Sequence, residues 1–221
     1  MDSQTNRKSM NRVLVTVGEG SFREDTFELP EITSTEICVR NVMTGVCRSD
    51  IDMMNGEFGP LPLHMQGHEG LGQVIKVGSD VSDVRVGDYV ATRGEPAYAD
   101  YYNVRAEEYV YVPEADPKYI IEPVACGINC VSDTITELQG RALAEDNPKL
   151  LIIGSGFLAY VAYQTLQHYQ IGFEIATFDE INIGDGVIMG MDVLFVNTRN
   201  KSLEVGYDIN KKVIWGGYVN V

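Results

Sequence analysis

Hydrophobic and polar positions follow one pattern in the front of the chain and another in the back. Between residues 11 and 112, short β-branched runs are separated by glycine, proline and aspartate, with no helical period of useful length. The runs are RVLVTV at 12–17, EICVRNVMTGV at 36–46, GQVIKVG at 72–78, GDYVATR at 87–93 and YADYYNV at 98–104. Strands at this spacing predict a small β-barrel or sandwich.

The pattern changes after Pro117. The segment EPVACGINCVSDTITELQ predicts a helix, with Pro123 near the first turn, where a missing N–H costs no hydrogen bond. KLLIIGSGFLAYVAYQTLQHYQ then predicts a buried strand, a glycine turn and a helix, and FEIATFD, MDVLFVNT and KVIWGG predict further strands. Strands alternating with helices indicate a parallel sheet. We therefore predict an α/β chain, with a β-rich domain at residues 1–135 and a βα domain at residues 136–221.

Composition narrows the classes of function. The chain has 221 residues, 44% of them hydrophobic, which is enough for a substantial core. Its formal net charge of −15 would repel nucleic acid and anionic membranes, so neither is expected as a partner. We expect no membrane span, because no apolar run approaches the roughly 20 residues that a span needs. We expect no signal peptide, because the N-terminal stretch MDSQTNRKSMNR is polar. Four irregularly spaced cysteines do not suggest a disulfide framework, so a cytoplasmic location is expected.

Candidate metal ligands lie in three stretches, VCRSD, GHE and EPVAC. A thiolate, an imidazole and a carboxylate together suit zinc, and catalytic zinc commonly has three protein ligands and one open position. Cys47, His68 and one of Glu69 or Glu122 would fill that description. Each residue also has a structural interpretation. Cys47 could be a small core residue, and His68 could be a polar residue with satisfied hydrogen bonds at the entrance of a strand. Glu69 could cap a turn, and Glu122 could occupy the first turn of a helix.

The stretches VMTGVCRSD, PLPLHMQGHEGLGQVIKVGSDVSDVRVGDYV and EPVACGI resemble the zinc-dependent medium-chain alcohol/polyol dehydrogenase family. This resemblance extends from about residue 11 onward and implies a GroES-like β-barrel followed by a Rossmann-like nucleotide-binding domain. It implies Cys47 and His68 as zinc ligands, with Glu69 and Glu122 at acidic positions that polyol-dehydrogenase-like members use at the metal. Zinc in such a site acts as a Lewis acid that lowers the pKa of a substrate hydroxyl, so that hydride can pass to a nicotinamide.

The same resemblance assigns roles to residues that follow Cys47. Ser49 matches the hydroxyl that passes a proton away from the alcohol, although a plain turn serine is the alternative. Asp50 matches the carboxylate that orients a metal-bound histidine. Asp52 stands where many relatives have a histidine that continues the proton relay. Because the four-cysteine lobe of many relatives is missing after GDYV, we expect a catalytic zinc and no structural zinc.

The stretch LLIIGSGFLA arranges Gly154, Gly156 and Ala159 as G-x-G-x-x-A between a strand and a helix. Such glycines permit a tight turn and a close approach of the backbone to a pyrophosphate at the helix N-terminus. Asp179 ends the next strand, near where an acid would bind the ribose hydroxyl and favour NAD over NADP. A plain packing turn is the alternative interpretation. NAD(H) is therefore the expected cofactor.

The back portion is shorter than a full Rossmann domain. We predict four strands, at 150–153, 173–178, 192–197 and 212–215. By the usual strand order of a six-stranded Rossmann domain, which the resemblance implies, they would lie in the order 2-1-4-5. This truncated sheet would leave its last strand with an unpaired edge, which favours a homo-oligomer.

Three hypotheses for the function remain open at this point. The first is a zinc-dependent oxidoreductase that moves hydride between a small alcohol or polyol and NAD(P). The second is a truncated, non-catalytic derivative that keeps the fold, with or without zinc, and acts as a binding or assembly module. The third, a zinc-free enzyme like the quinone reductases, is disfavoured because those relatives usually lack the Cys/His pair.

Overall fold

The computed structural model describes residues 10–18, 20–57, 64–143, 149–153, 156–169, 174–178, 193–196 and 212–215. Contacts divide the chain into two compact units, Met1–Pro123 and Val124–Val221. The division therefore lies earlier than the predicted one after residue 135. The reason is helix α2, in which Val131 and Ile135 share a hydrophobic core with Ile152 of the second unit.

The first unit is built of antiparallel strands. Among the described residues they are β1 (Asn11–Gly18), β2 (Ser21–Phe27), β3 (Glu36–Thr44), β4 (His64–Met65), β5 (Gly70–Val77), β6 (Tyr89–Thr92), β7 (Tyr101–Arg105) and β8 (Tyr109–Val112). Five strands form one sheet in the order β7-β3-β5-β6-β8, and three form another in the order β2-β1-β4. The predicted β-rich front portion is confirmed.

The core of this unit comes from the alternation of side chains along its strands. Ile37 and Val39 of β3, Val74 of β5 and Val90 of β6 are completely buried in one cluster, together with Tyr102 of β7. β-Branched side chains pack well on a pleated surface, and successive residues point to opposite faces. The central strands therefore form the core. The candidate metal ligands Cys47 and His68 lie outside the strands, just after the end of β3 and just before the start of β5.

The hydrophobic pattern did not predict helix α1 (Arg48–Met54). Seven residues are too few to show a clear period of 3.6. The helix is supported at its start by Asp50, whose Oδ2 accepts a hydrogen bond from the backbone N–H of Cys47 at 3.0 Å. A carboxylate at this position satisfies a free N–H and complements the helix dipole. Cys47 is the N-cap residue of α1, and Asp50 is the third residue of the helix.

The second unit combines helices with parallel strands. The helices are α2 (Glu122–Leu143), whose first two residues belong to the first unit, and α3 (Phe157–His168). The described strands are β9 (Lys149–Ile153), β10 (Glu174–Phe178), β11 (Val193–Val196) and β12 (Lys212–Trp215). They pair in parallel in the order β10-β9-β11-β12. This is the predicted order 2-1-4-5, in which β9 and β10 correspond to strands 1 and 2 of a six-stranded Rossmann domain, and β11 and β12 to strands 4 and 5.

Within these four described strands, β12 lies at an edge of the sheet. Self-association through this strand stays a prediction. Among the described residues, no helix has the length and the apolar character needed to cross a membrane.

Candidate metal centre

The antiparallel pairing of β3 with β5 brings two distant parts of the chain together. Thr44, at the end of β3, pairs with Gly70, at the start of β5. The backbone N–H of Gly45 then donates to the carbonyl of Glu69 at 2.9 Å. Cys47 follows the first strand by three residues and His68 precedes the second by two, so the strand pairing itself places the thiol beside the imidazole.

Cys47, His68 and Glu69 form a group that could hold a metal ion. One ligand atom from each, a sulfur, a ring nitrogen and a carboxylate oxygen, lies within 4.8 Å of the other two. Zinc binds such atoms at about 2.0–2.3 Å, so one ion could reach all three. Glu69 is buried, whereas Cys47 and His68 are half-buried, so part of the group is exposed to solvent.

Gly45 makes room for the carboxylate of Glu69. A Cβ atom at position 45 would overlap Oε2 of Glu69 and would lie 3.0 Å from its Cβ and Cδ. A side chain at this position would therefore displace the carboxylate. The glycine in the stretch TGVC thus has a direct steric role in the site.

Asp50 lies behind the imidazole. Its Oδ2 accepts two hydrogen bonds, one from the backbone N–H of Cys47 at 3.0 Å and one from the hydroxyl of Tyr98 at 2.7 Å. Its Oδ1 lies 3.7 Å from Nδ1 of His68. Asp50 is only 1% exposed, and this Oδ1 has no hydrogen-bond partner. A buried carboxylate oxygen without a partner is costly unless a nearby donor can turn toward it, and His68 is that donor.

Buried negative charge is concentrated around this group. The buried acidic residues of the described chain are Asp50, Asp52, Glu69 and Glu122, and no lysine or arginine is buried there. Asp52 is paired with Arg48 at 2.6 Å, and Glu122 lies 3.8 Å from Arg93. These two arginines do not compensate Asp50 and Glu69. Because buried charges without a partner are unfavourable, the arrangement favours a cation in the site, either the protonated imidazole of His68 or a metal ion that replaces its proton.

The pKa values reflect the same concentration of charge. The hydrogen bond with Cys47 raises the pKa of His68 to about 9, with further contributions from the charges of Asp50 and Glu122 and with burial acting against them. Burial raises the pKa of Glu69, and the charge of Glu122 raises it further. Without a metal, His68 therefore holds a proton at neutral pH. A metal ion would take the place of that proton.

Several predicted site residues lie near the group without joining it. Glu122 is outside the three-residue group, although its charge affects His68 and Glu69. Ser49 lies in the first turn of α1 and is half-buried. Asp52, on the same helix, is 1% exposed and bonded to Arg48. It is thus occupied by an ion pair at the position where the resemblance suggested a relay histidine.

The predicted cofactor-binding residues are described in part. Gly156 is the exposed N-cap of α3. Ala159, in the first turn of that helix, is 3% exposed and packs in the core of the second unit. Gly154 and Asp179 lie outside the described residues.

Tyr98 is a site residue that the sequence analysis did not identify. The stretch YADYYNV was interpreted as a strand, and 48 residues separate Tyr98 from Asp50. Nothing in the spacing links the two. The contact arises only because the loop before β7 returns to the segment that carries His68.

A comparison with protein families matches residues 33–117 to the alcohol dehydrogenase GroES-like domain. Among curated relatives, the chain is 29% identical over 175 residues to a protein described as "Probable quinone oxidoreductase" from Leishmania amazonensis, covering 76% of this chain and 49% of that one. It is 34% identical over 94 residues to sorbitol dehydrogenase from Ovis aries, covering 41% of this chain and 27% of that one. The chain thus spans about half the length, or less, of these relatives.

Solved structures of alcohol dehydrogenases share the fold. Alcohol dehydrogenase TADH from Thermus sp. ATN1 superposes with a TM-score of 0.65 at 16% identity, covering 95% of this chain and 78% of that one. CAD from Helicobacter pylori complexed with NADP(H) has a TM-score of 0.58 at 16% identity, covering 85% of this chain and 68% of that one. At these identities the likeness shows the fold alone. Residues 33–117 form an alcohol dehydrogenase GroES-like domain, and the predicted resemblance to the medium-chain alcohol/polyol dehydrogenases is confirmed.

Proposed function

We propose that this protein is a zinc-dependent oxidoreductase that transfers hydride between an alcohol or polyol and a nicotinamide cofactor. The observation that carries the proposal is the convergence of the Cys47, His68 and Glu69 ligand atoms within 4.8 Å of one another. This set has the composition of a catalytic zinc site, with three protein ligands and space for a fourth.

The residues around the group fit zinc for a second reason. Asp50 holds a buried, unpartnered oxygen 3.7 Å from Nδ1 of His68. Metal-binding histidines commonly donate their other ring N–H to a carboxylate, which fixes the tautomer and increases the basicity of the ligand. We assign this role to Asp50, which leaves Nε2 of His68 for the ion. Bound zinc would supply Lewis-acid chemistry to a substrate oxygen.

The chain itself would supply proton transfer and charge balance. Ser49 lies on α1 two residues after Cys47, where its hydroxyl would accept the proton of an incoming alcohol and pass it on. Asp52 is held in an ion pair with Arg48. A proton relay through position 52 would therefore use a paired carboxylate in place of a histidine. Glu122, which lies outside the ligand group, would modulate the site by its charge or enter as an alternative ligand.

The second unit is proposed as a Rossmann-like nucleotide-binding sheet. Its described strands are parallel, and α3 begins at Phe157, with its N-cap Gly156 three residues after the end of β9 at Ile153. Ala159 has no bulky side chain, so the first turn of α3 can pack closely in the core of the second unit. A helix N-terminus favours a phosphate group, and Gly154 and Asp179 would complete the site for NAD(H).

An alcohol or polyol is the proposed substrate class. Sorbitol dehydrogenase from Ovis aries and D-arabitol-phosphate dehydrogenase from Enterococcus avium are among the relatives that match part of this chain. One half-buried face of the metal group is open to a hydroxyl of such a compound.

Calorimetric titration of NADH and NADPH into the zinc-loaded protein tests this proposal. We expect saturable binding at millimolar or lower cofactor and about one zinc per chain by elemental analysis. Cys47→Ser and His68→Ala should lose most of the zinc, whereas Cys126→Ser, which changes a cysteine in α2, should keep it. A folded protein that binds neither zinc nor cofactor would contradict the proposal. Zinc without cofactor would favour a binding or assembly module.

A further inference from the structure

Tyr98 connects the loop before β7 to the residue behind the imidazole. Its hydroxyl donates to Oδ2 of Asp50 at 2.7 Å, the shorter of the two hydrogen bonds that this oxygen accepts. Tyr98 is partly buried, and burial together with the bond to Asp50 raises the pKa of its hydroxyl above the ordinary value. The hydroxyl therefore remains a proton donor to the carboxylate throughout the physiological range.

The ring of Tyr98 is held by contacts that do not involve Asp50. Its backbone N–H donates to the carbonyl of Gln66 at 2.9 Å. Gly67 leaves room for the ring, because a Cβ at that position would lie 2.7 Å from Cδ1 of Tyr98. The ring of Phe22 packs against it edge to face, with centroids 6.4 Å apart. The hydroxyl is thus positioned in advance, and the carboxylate must conform to it.

The two oxygens of Asp50 consequently have different environments. Oδ2 is bonded to Tyr98 and to the N–H of Cys47, whereas Oδ1 has no hydrogen-bond partner and faces His68. With Oδ2 held from two directions, the carboxylate cannot rotate without breaking both bonds. Oδ1 is therefore reserved for Nδ1 of His68.

We propose that Tyr98 is a positioning residue of the metal centre: by fixing the carboxylate of Asp50, its hydroxyl fixes the imidazole of His68. This inference rests on the proposed zinc site. Tyr98 acts on the ion only through Asp50 and His68, so its loss should weaken metal binding without removing a ligand. Changes to residues that hydrogen-bond to the ligands of a metal typically reduce metal affinity about 10–100-fold.

The chain contains a matched control. Tyr109 also donates its hydroxyl to an aspartate at 2.7 Å, but that residue is Asp83, which is not part of the metal group. Tyr98→Phe and Tyr109→Phe each delete one hydroxyl from a Tyr–Asp bond of the same length in the same unit. If losing a Tyr–Asp hydrogen bond had only a general effect on the protein, metal affinity would therefore change equally in both variants.

The test measures affinity for Zn²⁺ and Co²⁺ by competition with a chromophoric chelator. We expect about a ten-fold or greater loss in Tyr98→Phe and none in Tyr109→Phe, with similar thermal midpoints for the two metal-free variants. In an Asp50→Asn background, Tyr98→Phe should have no further effect, because the residue through which it acts is altered. Unchanged affinity in Tyr98→Phe, or a loss that persists fully in the Asp50→Asn background, would overturn the inference.

A second readout covers the case in which Asp50→Asn binds metal too weakly to measure. ¹⁵N NMR of the zinc-loaded protein reports the Nδ1 environment of His68 directly. We expect this signal to move in Tyr98→Phe and to stay in Tyr109→Phe, and an identical signal in both variants would refute the role of Tyr98. If the unaltered protein binds neither ion, the zinc site fails and the inference fails with it. Normal metal binding by both tyrosine variants removes the inference alone.

Discussion

A Cβ atom on Gly67 would lie 2.6 Å from the backbone nitrogen of Tyr98, closer than real Cβ contacts allow. Gly67 also has a φ of +96°, in the region that favours glycine. It immediately precedes His68, so the histidine's place in the site depends on a position that tolerates no side chain. Because the obstacle is backbone, a change of rotamer could not relieve it.

Gly67→Ala should therefore destabilise the first unit by more than the left-handed conformation alone costs, which is about 1–2 kcal/mol. Gly87→Ala is the control, since Gly87 has a φ of +100° but nothing within 4 Å of an added Cβ. Denaturant unfolding of both variants measures the difference. Equal losses of unfolding free energy would show that the approach of Tyr98 to Gly67 is not close in solution.

Gly45→Ala should weaken metal binding by displacing the carboxylate of Glu69, which an added Cβ would overlap. The backbone bond from Gly45 to the Glu69 carbonyl does not need a glycine, so the strand pairing should persist. We expect zinc affinity to fall about ten-fold or more, a loss at least as large as that from disturbing an outer-shell residue. Zinc affinity equal to that of the unaltered protein, measured by chelator competition, would exclude Glu69 as a ligand.

Two glycines of α2 should respond oppositely to alanine. An added Cβ at Gly140 meets nothing within 4 Å, whereas one at Gly127 would lie 2.6 Å from Cγ1 of Val161 on α3. Gly140→Ala should stabilise the helix by about 0.5–1 kcal/mol, because glycine is a poor helix former. Gly127→Ala should instead destabilise the second unit by separating the helices. Thermal unfolding checks both, and stabilisation by Gly127→Ala would contradict the close α2–α3 packing.

Tyr102 should make the first unit sensitive to alkali. This residue is completely buried, and burial raises its pKa to about 12, while the hydrogen bond with Thr92 acts in the opposite direction. Because the pKa in the folded state is above the ordinary value of 10.0, the neutral phenol's contribution to stability is complete below pH 10. It is lost as the pH rises through about 12.

Tyr102→Phe should therefore flatten the decline of unfolding free energy between pH 10 and 12. At neutral pH it should cost about 1–3 kcal/mol, since the buried Thr92 hydroxyl loses its partner at 2.9 Å. Tyr111→Phe is the control, because Tyr111 is 54% exposed. Alkaline unfolding curves of the same slope in both variants would argue against a buried titrating phenol at position 102.

Patterns that repeat along the chain predicted much of the fold. Alternating β-branched residues identified β1, β3, β5, β6 and β7, and the change to alternating strands and helices identified α3 and the parallel strands. The order of those strands was predicted from the usual Rossmann order that the resemblance implies. The elements β2, β4, β8 and α1 were not among those identified from the pattern. The strand β4 has two residues and α1 has seven, so neither is long enough to display a period.

The candidate site was predictable where residue type carries the chemistry. Cys47, His68 and Glu69 were named from their ligand chemistry and from the family resemblance, and the structure brings them together. The contributions of Tyr98 and Gly45 were not predictable. They depend on which side chains approach across loops, and local sequence does not encode that approach.

The charge-transfer spectrum of the cobalt-substituted protein tests the central claim most directly. A thiolate bound to Co²⁺ absorbs in the near ultraviolet, so the band reports whether Cys47 is a ligand. We predict that the band saturates at about one cobalt per chain, disappears in Cys47→Ser, weakens strongly in His68→Ala, and persists in Cys126→Ser. A band that survives in Cys47→Ser, or its absence from the unaltered folded protein, would contradict a metal centre built on Cys47 and His68.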